Sequence, residues 1–264
     1  MLKYTICFVA TALIGLISNS YATATDREKQ SYDGASKQNG EDPQFLGMGW
    51  GSGQMEKGSC FPSDATIQTP TGRKAISQLK YGEKVLDANS KWTTFLMFLD
   101  MKFGKFEFVR VVVNDQLVLR LTPEHLIFRQ STKANSRSAD IEDVEASELE
   151  IGDVVFIGNG TGRVTQVQSV RGEGAYTPFT ETGTLLVDNV WVSCYASSDP
   201  PGKRRWGHKH AQVWFAPLRF LISAANALGL EWLVTGSSPG PQNEGIFWYC
   251  RLLEHFNTLL KMIA

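Results

Sequence analysis

The stretch that decides the fold is residues 56–72, "EKGSCFPSDATIQTPTG", in which a single cysteine, Cys60, stands between Gly58-Ser59 and Phe61-Pro62. Upstream, from Thr25 to Ser59, the chain is built from Gly, Ser, Gln, Lys, Asp and Glu with few apolar residues in any period, as in "DREKQSYDGASKQNGEDPQ". Such a segment cannot bury enough apolar surface to offset its ordering entropy, so a flexible leader is expected over 25–59. Downstream the texture changes to short runs of Val, Ile and Thr broken by turn residues: "ATIQ", "FEFVRVVV", "QLVLRLT", "HLIFR", "DVVFIG" and "TLLVDNVWVSCYA". Alternation as in Arg163-Val164-Thr165-Gln166-Val167 marks half-buried strands. Cys60 therefore sits where a solvated leader meets an all-β domain.

Within that domain two segments echo each other. "ISQLKYGEKVL" and "ASELEIGDVVF" align Ser77 with Ser147, Leu79 with Leu149, Gly82 with Gly152, Glu83 with Asp153 and Val85 with Val155. Each copy reads as a strand, a glycine-centred turn and a second strand, which suggests a fold with pseudo-twofold halves. Leu-x-x-Gly-acid is also ordinary turn chemistry, so the repeat alone does not settle the matter.

The full chain has 264 residues, with 26 Lys and Arg against 27 Asp and Glu. That length holds one sizeable core, and the balanced charge gives no footprint for a phosphate backbone, so nucleic acid is not an expected partner. The first 24 residues, "MLKYTICFVATALIGLISNSYATA", place Lys3 before an apolar run and small residues at Ser20, Ala22 and Ala24. This is the order of a secretory signal, and its apolar core is shorter than the roughly 20 residues a spanning helix needs. A secreted protein processed in the endoplasmic reticulum is the expectation. Loss of Cys7 with the signal leaves Cys60, Cys194 and Cys250, an odd set that argues against a simple disulfide framework.

After Ala196 the composition shifts again. "SSDPPGKRRWG" reads as a linker, "APLRFLISAANALGLEWLVTG" as an apolar helix and "IFWYCRLLEHFNTLLKMIA" as a second one, with Ile246, Tyr249, Cys250, Leu253, Phe256, Leu260 and Ile263 at helical spacing. Residues 60–196 thus form one domain and 197–264 a helical region that lies on something apolar, a lipid or a membrane surface. The basic run from Lys203 to His210 reads as a solvated linker or as an anionic-surface contact.

Four residues carry candidate chemistry. The Cys60 thiol can attack the Ser59 carbonyl through a five-membered ring and move the acyl group from nitrogen to sulfur; the plainer alternative is a small buried hydrophobe opening the first strand. In "RLTPEHL", Pro123 biases Thr122 to an extended conformation, and a turn brings His125 beside it. Thr122 could orient a peptide bond while the imidazole protonates its leaving amine, or His125 is simply a hydrogen-bonded histidine heading a strand. Asp100, ending "FLMFLD", is either a turn carboxylate or a desolvated base able to deprotonate an alcohol. Cys194 and Cys250 read as buried structural cysteines, and Asn159-Gly160-Thr161 fits a glycosylation acceptor on an exposed loop.

Taken together and in order, "GSCFPSDATIQTPTG", "FLMFLD", "LTPEHL", "YTPFTETGTLLVDNVWVSCYA" and "HKHAQVWFAPLRF" resemble the C-terminal autoprocessing domain of hedgehog proteins, the Hog or Hint domain, from Gly58 to about Arg219. The resemblance implies a pseudo-twofold Hint β-fold with a helical sterol-recognition tail. It also implies Cys60 as the thioester-forming nucleophile, with cleavage between Ser59 and Cys60. Thr122 and His125 match the pair that activates the scissile bond, Asp100 the base for a sterol hydroxyl, and Cys194 a supporting core thiol. The co-substrate implied is a sterol, cholesterol first, with no metal and no other cofactor, and a monomer acting in cis. One departure stands out: Ser59 occupies the place where the family has Gly. Splicing is disfavoured because Asn257 lies inside a predicted helix. Resolution of the thioester by water or another lipid alcohol, and a non-catalytic secreted lipid-binding module, are the competing expectations.

Overall fold

The β-branched runs form strands because each buries one or both faces against another strand of the same sheet system. The computed structural model describes residues 60–131, 140–158, 160–197, 207–230, 232, 234, 236 and 245–251. The expected signal peptide and leader, Ser59, Asn159, the start of the linker and basic run, and residues 252–264 of the expected last helix lie outside the described residues.

Among the described residues twelve strands run in order: β1 Thr66–Thr69, β2 Gly72–Ala75, β3 Lys84–Leu86, β4 Trp92–Val113, β5 Leu117–Leu121, β6 His125–Gln130, β7 Ile141–Glu145, β8 Val154–Ile157, β9 Gly160–Thr180, β10 Thr184–Val187, β11 Val190–Ala196 and β12 Gly245–Ile246. The helices α1 His208–Trp214 and α2 Ala216–Ala227 follow β11. The long strands β4 and β9 pair antiparallel from Phe95 opposite Thr180 to Val113 opposite Val164 and form the spine. Where they enter the core, Phe95 to Met101 on β4 and Ala175 to Thr180 on β9 are buried without a break, which is why "FLMFLD" reads as a continuous apolar run. Farther along, Val164 is buried and Gln166 exposed, as the alternation of that segment predicts.

The sequence repeat is a repeat of hydrogen bonds. Gly82 N–H donates to Phe95 O (2.9 Å) and Phe95 N–H to Glu83 O (2.8 Å); in the second copy Gly152 N–H donates to Val164 O (2.8 Å) and Val164 N–H to Asp153 O (2.8 Å). Both glycines have positive φ, 79° and 103°, a conformation that an L side chain resists. The opening limb of each copy is not a strand, as the sequence suggested, but a single 3-10 turn, Ile76–Gln78 and Ala146–Glu148. Leu79 N–H to Ile76 O and Leu149 N–H to Ala146 O close these turns locally, so their backbone groups are satisfied without a strand partner. The all-β, pseudo-twofold architecture of the sequence reading is therefore the observed one.

The tail departs further from expectation. α2 ends sooner than its apolar run because Gly229, at φ 67°, turns the chain: Gly229 N–H bonds Asn226 O and Leu230 N–H bonds Ala225 O, the two bonds of a Schellman stop. Ile246, expected to begin a helix, instead forms β12 with Gly245 and pairs with β4 at Asp100 and Met101. One edge of β4 is already taken by β9, and β12 covers the other at this point. Phe247 follows it into the core, fully buried, its N–H donating to Leu99 O at 2.7 Å. Only at Trp248 does the chain turn helical.

Candidate functional site

Cys60 enters the fold through its neighbour. Phe61 exchanges both backbone hydrogen bonds with Tyr176 of β9, at 3.0 and 2.8 Å, so Cys60 falls beside Thr177 one step along the register. On the other side the Thr122 N–H donates to the Cys60 carbonyl at 2.9 Å. Two separate segments thus hold the residue, and its side chain is fully buried.

The Thr122–His125 turn is the one that Pro123 dictates: His125 N–H bonds back to Thr122 O at 3.1 Å, and β6 starts at His125. Its imidazole is fully buried, with the Phe61 ring 4.5 Å away edge-on. Nε2 lies 2.9 Å from the Ser193 carbonyl of β11, and because a carbonyl only accepts, Nε2 carries the proton. Nδ1 is left with its lone pair and, among the described residues, has no hydrogen-bond partner. Thr122 acts here through its backbone.

Asp100 is not a turn carboxylate. It lies within β4, buried, directly opposite Thr177, next to a register shift between Phe98 and Asp100 that makes Leu99 an extra residue on the strand. Such a bulge re-aims the side chain that follows it. Cys194, on β11, is fully buried with Sγ 3.5 Å from the Thr180 hydroxyl. Cys60 and Cys194 are free thiols, and Cys250 is half-buried against the core.

Burial holds both the thiol and the imidazole of the centre in their neutral forms. Burial pushes the Cys60 thiol far above its ordinary range; a Thr177 side-chain hydrogen bond draws it back, while Asp100, Cys194 and Glu124 add to the rise. Burial also lowers His125 to about 3, the Ser193 bond opposing. Cys194 is raised to about 11 by burial against its Thr180 bonds. At neutral pH the site therefore holds a thiol and a neutral imidazole, not a preformed ion pair.

Three contributors escaped the sequence reading. Thr177 lies in the quoted "YTPFTETG", but nothing in its spacing ties it to Cys60, 117 residues away. Ser193 serves through its carbonyl, which no side-chain pattern reveals. His208, expected in a solvated linker, opens α1 and packs onto the core: its Nδ1 is 2.9 Å from Ser193 Oγ, its ring meets Phe128 and Tyr195, and burial lowers it to about 4.

The Hint module family matches residues 45–262. The chain belongs to the Hint family. Among curated relatives, the chain is 33% identical over 220 residues to the Indian hedgehog protein of Xenopus laevis, covering 79% of this chain and 50% of that protein. It is 33% identical over 182 residues to the Sonic hedgehog protein of the same species, covering 65% and 39%. With the hedgehog protein of Drosophila virilis it shares 30% over 213 residues, covering 74% and 42%. The chain spans about half the length, or less, of the curated relatives it matches. Among solved structures, the gp41-1 intein aligns with a TM-score of 0.43 at 16% identity, over 52% of this chain and 99% of that one. A bacterial intein-like domain from Clostridium thermocellum aligns with a TM-score of 0.42 at 21% identity, over 52% and 99%. Membership in the Hint family and the hedgehog relatives support self-processing in general terms.

Proposed function

We propose that this Hint domain cleaves its own chain once, between Ser59 and Cys60, and passes the upstream fragment to a sterol hydroxyl. The observation that carries the reading is the pairing of a Cys60 clamped through its own carbonyl by Thr122 N–H with a His125 whose Nδ1 lone pair is open. In the first step the Cys60 thiol gives its proton to Nδ1, its sulfur bonds to the Ser59 carbonyl carbon, and the C–N bond to Cys60 breaks as Nδ1 returns the proton to the leaving amine. Amide-to-thioester exchange is uphill, so a second acceptor has to drain the thioester. In the second step a sterol oxygen attacks the same carbonyl, Asp100 takes its proton and the Cys60 sulfur leaves. The products are a fragment esterified at the Ser59 carboxyl and a domain that begins at Cys60.

Two features support a lipid alcohol as the acceptor. Val213, Trp214, Phe220, Leu221, Leu228 and Trp232 each expose apolar surface on or after the helices. The tail also returns through β12 to the strand position of Asp100, which ties the apolar region to the second-step base. No helix among the described residues is long and apolar enough to cross a membrane, and an interfacial seat on a lipid surface is the proposed mode. Passage through the secretory pathway and membrane association of the lipidated fragment belong to the same proposal.

The test is mass analysis of the fragment released from purified full-length chain given dithiothreitol, cholesterol in detergent, or neither. Cholesterol should yield a fragment heavier by one sterol less one water. A fragment of hydrolysed mass in every arm makes water the acceptor, and a chain that stays intact under dithiothreitol leaves a lipid-binding module.

A further inference from the structure

Phe61 pairs with Tyr176, so Cys60 stands opposite Thr177; Thr177 in turn stands opposite Asp100. Directly opposed residues of antiparallel strands project to the same face, and neighbouring strands are about 4.8 Å apart. Cys60, Thr177 and Asp100 therefore form a row across three adjacent backbones, with the threonine between thiol and carboxylate. Thr177 is 6% exposed, and its side chain hydrogen-bonds the Cys60 sulfur. Pro178 follows it and holds it extended.

We infer that Thr177 is a positioning residue for both steps: its hydroxyl donates to the Cys60 sulfur, aims it, and carries part of the negative charge that develops there. The inference rests on the proposed thioester chemistry. In the first step sulfur gains charge as its proton passes to His125 Nδ1; in the second it regains charge as the leaving group. One donor thus serves twice, and Thr177 exchanges no proton itself. The need for such a donor is local. The other groups around the thiol are Asp100 on β4, Cys194 on β11 and Glu124 in the turn before β6, and all three oppose a charge on sulfur. His125, on β6, is neutral. Asp100, by contrast, enters only the second step, so the two neighbours in the row have separable signatures.

Thr177→Val keeps the shape and β preference while removing the hydroxyl; Thr177→Ser restores it. A hydrogen bond to a charged group contributes about tenfold or more to a rate that depends on that charge. In the full chain, Thr177→Val should cleave about tenfold more slowly with dithiothreitol and with cholesterol alike, with a thermal midpoint close to the parent's, and Thr177→Ser should recover most of both rates. A second readout needs no cleavage: without added thiol, iodoacetamide capture of Cys60 at fixed pH, followed by peptide mass analysis, reports the thiolate fraction. It should fall about tenfold in Thr177→Val, with Cys194 capture unchanged as the internal control. Parental cleavage and capture rates in Thr177→Val, or a Ser variant no better than Val, overturn the inference. A parent chain that never cleaves while Cys60 capture still tracks the hydroxyl removes the thioester reading and leaves the hydrogen bond standing.

Discussion

Two turns occupy matching places in the pseudo-twofold fold. Ala65 N–H bonds Pro62 O at 3.1 Å, and His125 N–H bonds Thr122 O at 3.1 Å; Ser77 N–H reaches Ser63 O, and Ser147 N–H reaches Pro123 O. Each turn carries an acid at its third position, Asp64 and Glu124, and each feeds the first limb of a hairpin, β1 against β2 and β6 against β7. The side chains then diverge. The first turn closes on a buried alanine, whereas its mate closes on a buried imidazole. The proposed nucleophile, Cys60, precedes the first turn and the proposed acid–base group, His125, ends the second, and the Thr122 N–H to Cys60 O bond joins the two. A duplicated backbone supplies two equivalent frames, and the proposed chemistry would come from loading them differently.

The most severe way to break this asymmetry is to empty one frame. Cys60→Ala should give no new amino terminus under dithiothreitol, hydroxylamine or sterol, read by amino-terminal sequencing. His125→Ala, which gives the second turn the first turn's residue, should slow dithiothreitol-induced cleavage by about 10²–10⁴-fold, the range for a lost acid–base group, while the circular dichroism of the sheet persists. Rates within a fewfold of the parent would mean that the imidazole only fills space. Asp100→Ala should leave dithiothreitol-induced cleavage within a fewfold of the parent and lower the cholesterol-dependent rate by about 10² or more. Equal loss in both arms would assign the carboxylate to the first step instead.

Acid sharpens the comparison at the level of stability. His125 and His208 are both depressed below the ordinary histidine value, to about 3 and about 4, so the unfolded chain binds protons that the folded chain refuses. Their contribution is complete above about pH 6.5 and is lost as pH falls toward those values, at up to about 1.4 kcal/mol per pH unit for each group. Melts of Cys60→Ala should show the thermal midpoint falling between about pH 7 and pH 5. His125→Ala in that background should flatten the fall, because the first turn's alanine has no proton to take up. The smallest effects concern the paired glycines. Gly82→Ala and Gly152→Ala should each cost about 1 kcal/mol in denaturant melts, the second more, since its φ of 103° lies farther from the left-handed well than 79°. Added methyls meet open space at Gly82 and only Arg163 Nη1, 3.9 Å away, at Gly152, so the backbone alone decides.

Much of this was legible in the residues. Strand periodicity gave the all-β class, the echo around Gly82 and Gly152 gave the symmetry, and Pro123 gave the turn that sets His125, because each is a local rule acting over a few residues. What stayed hidden depends on pairing across long separations. Thr177 meets Cys60 only through the register that Phe61 and Tyr176 fix. Asp100 reads as a turn residue until β9 and β12 flank it. Ser193 contributes a carbonyl, and His208 looks solvated until α1 docks on β11. The hydrophobic period of the tail was right in kind over α2, but it overran Gly229 and hid the two residues of β12.

The clamp on the first residue of the domain has a further consequence. Thr122 N–H to Cys60 O, Phe61 N–H to Tyr176 O and Tyr176 N–H to Phe61 O all lie beyond the bond that would break. Scission at the proposed bond would therefore unravel none of these ties, and the new amine and thiol would stay seated in the fold. Under the proposed chemistry, an aminothiol so held would be poised for the reverse condensation for as long as the thioester lasts, so the pace of the acceptor step would set the yield of the whole reaction.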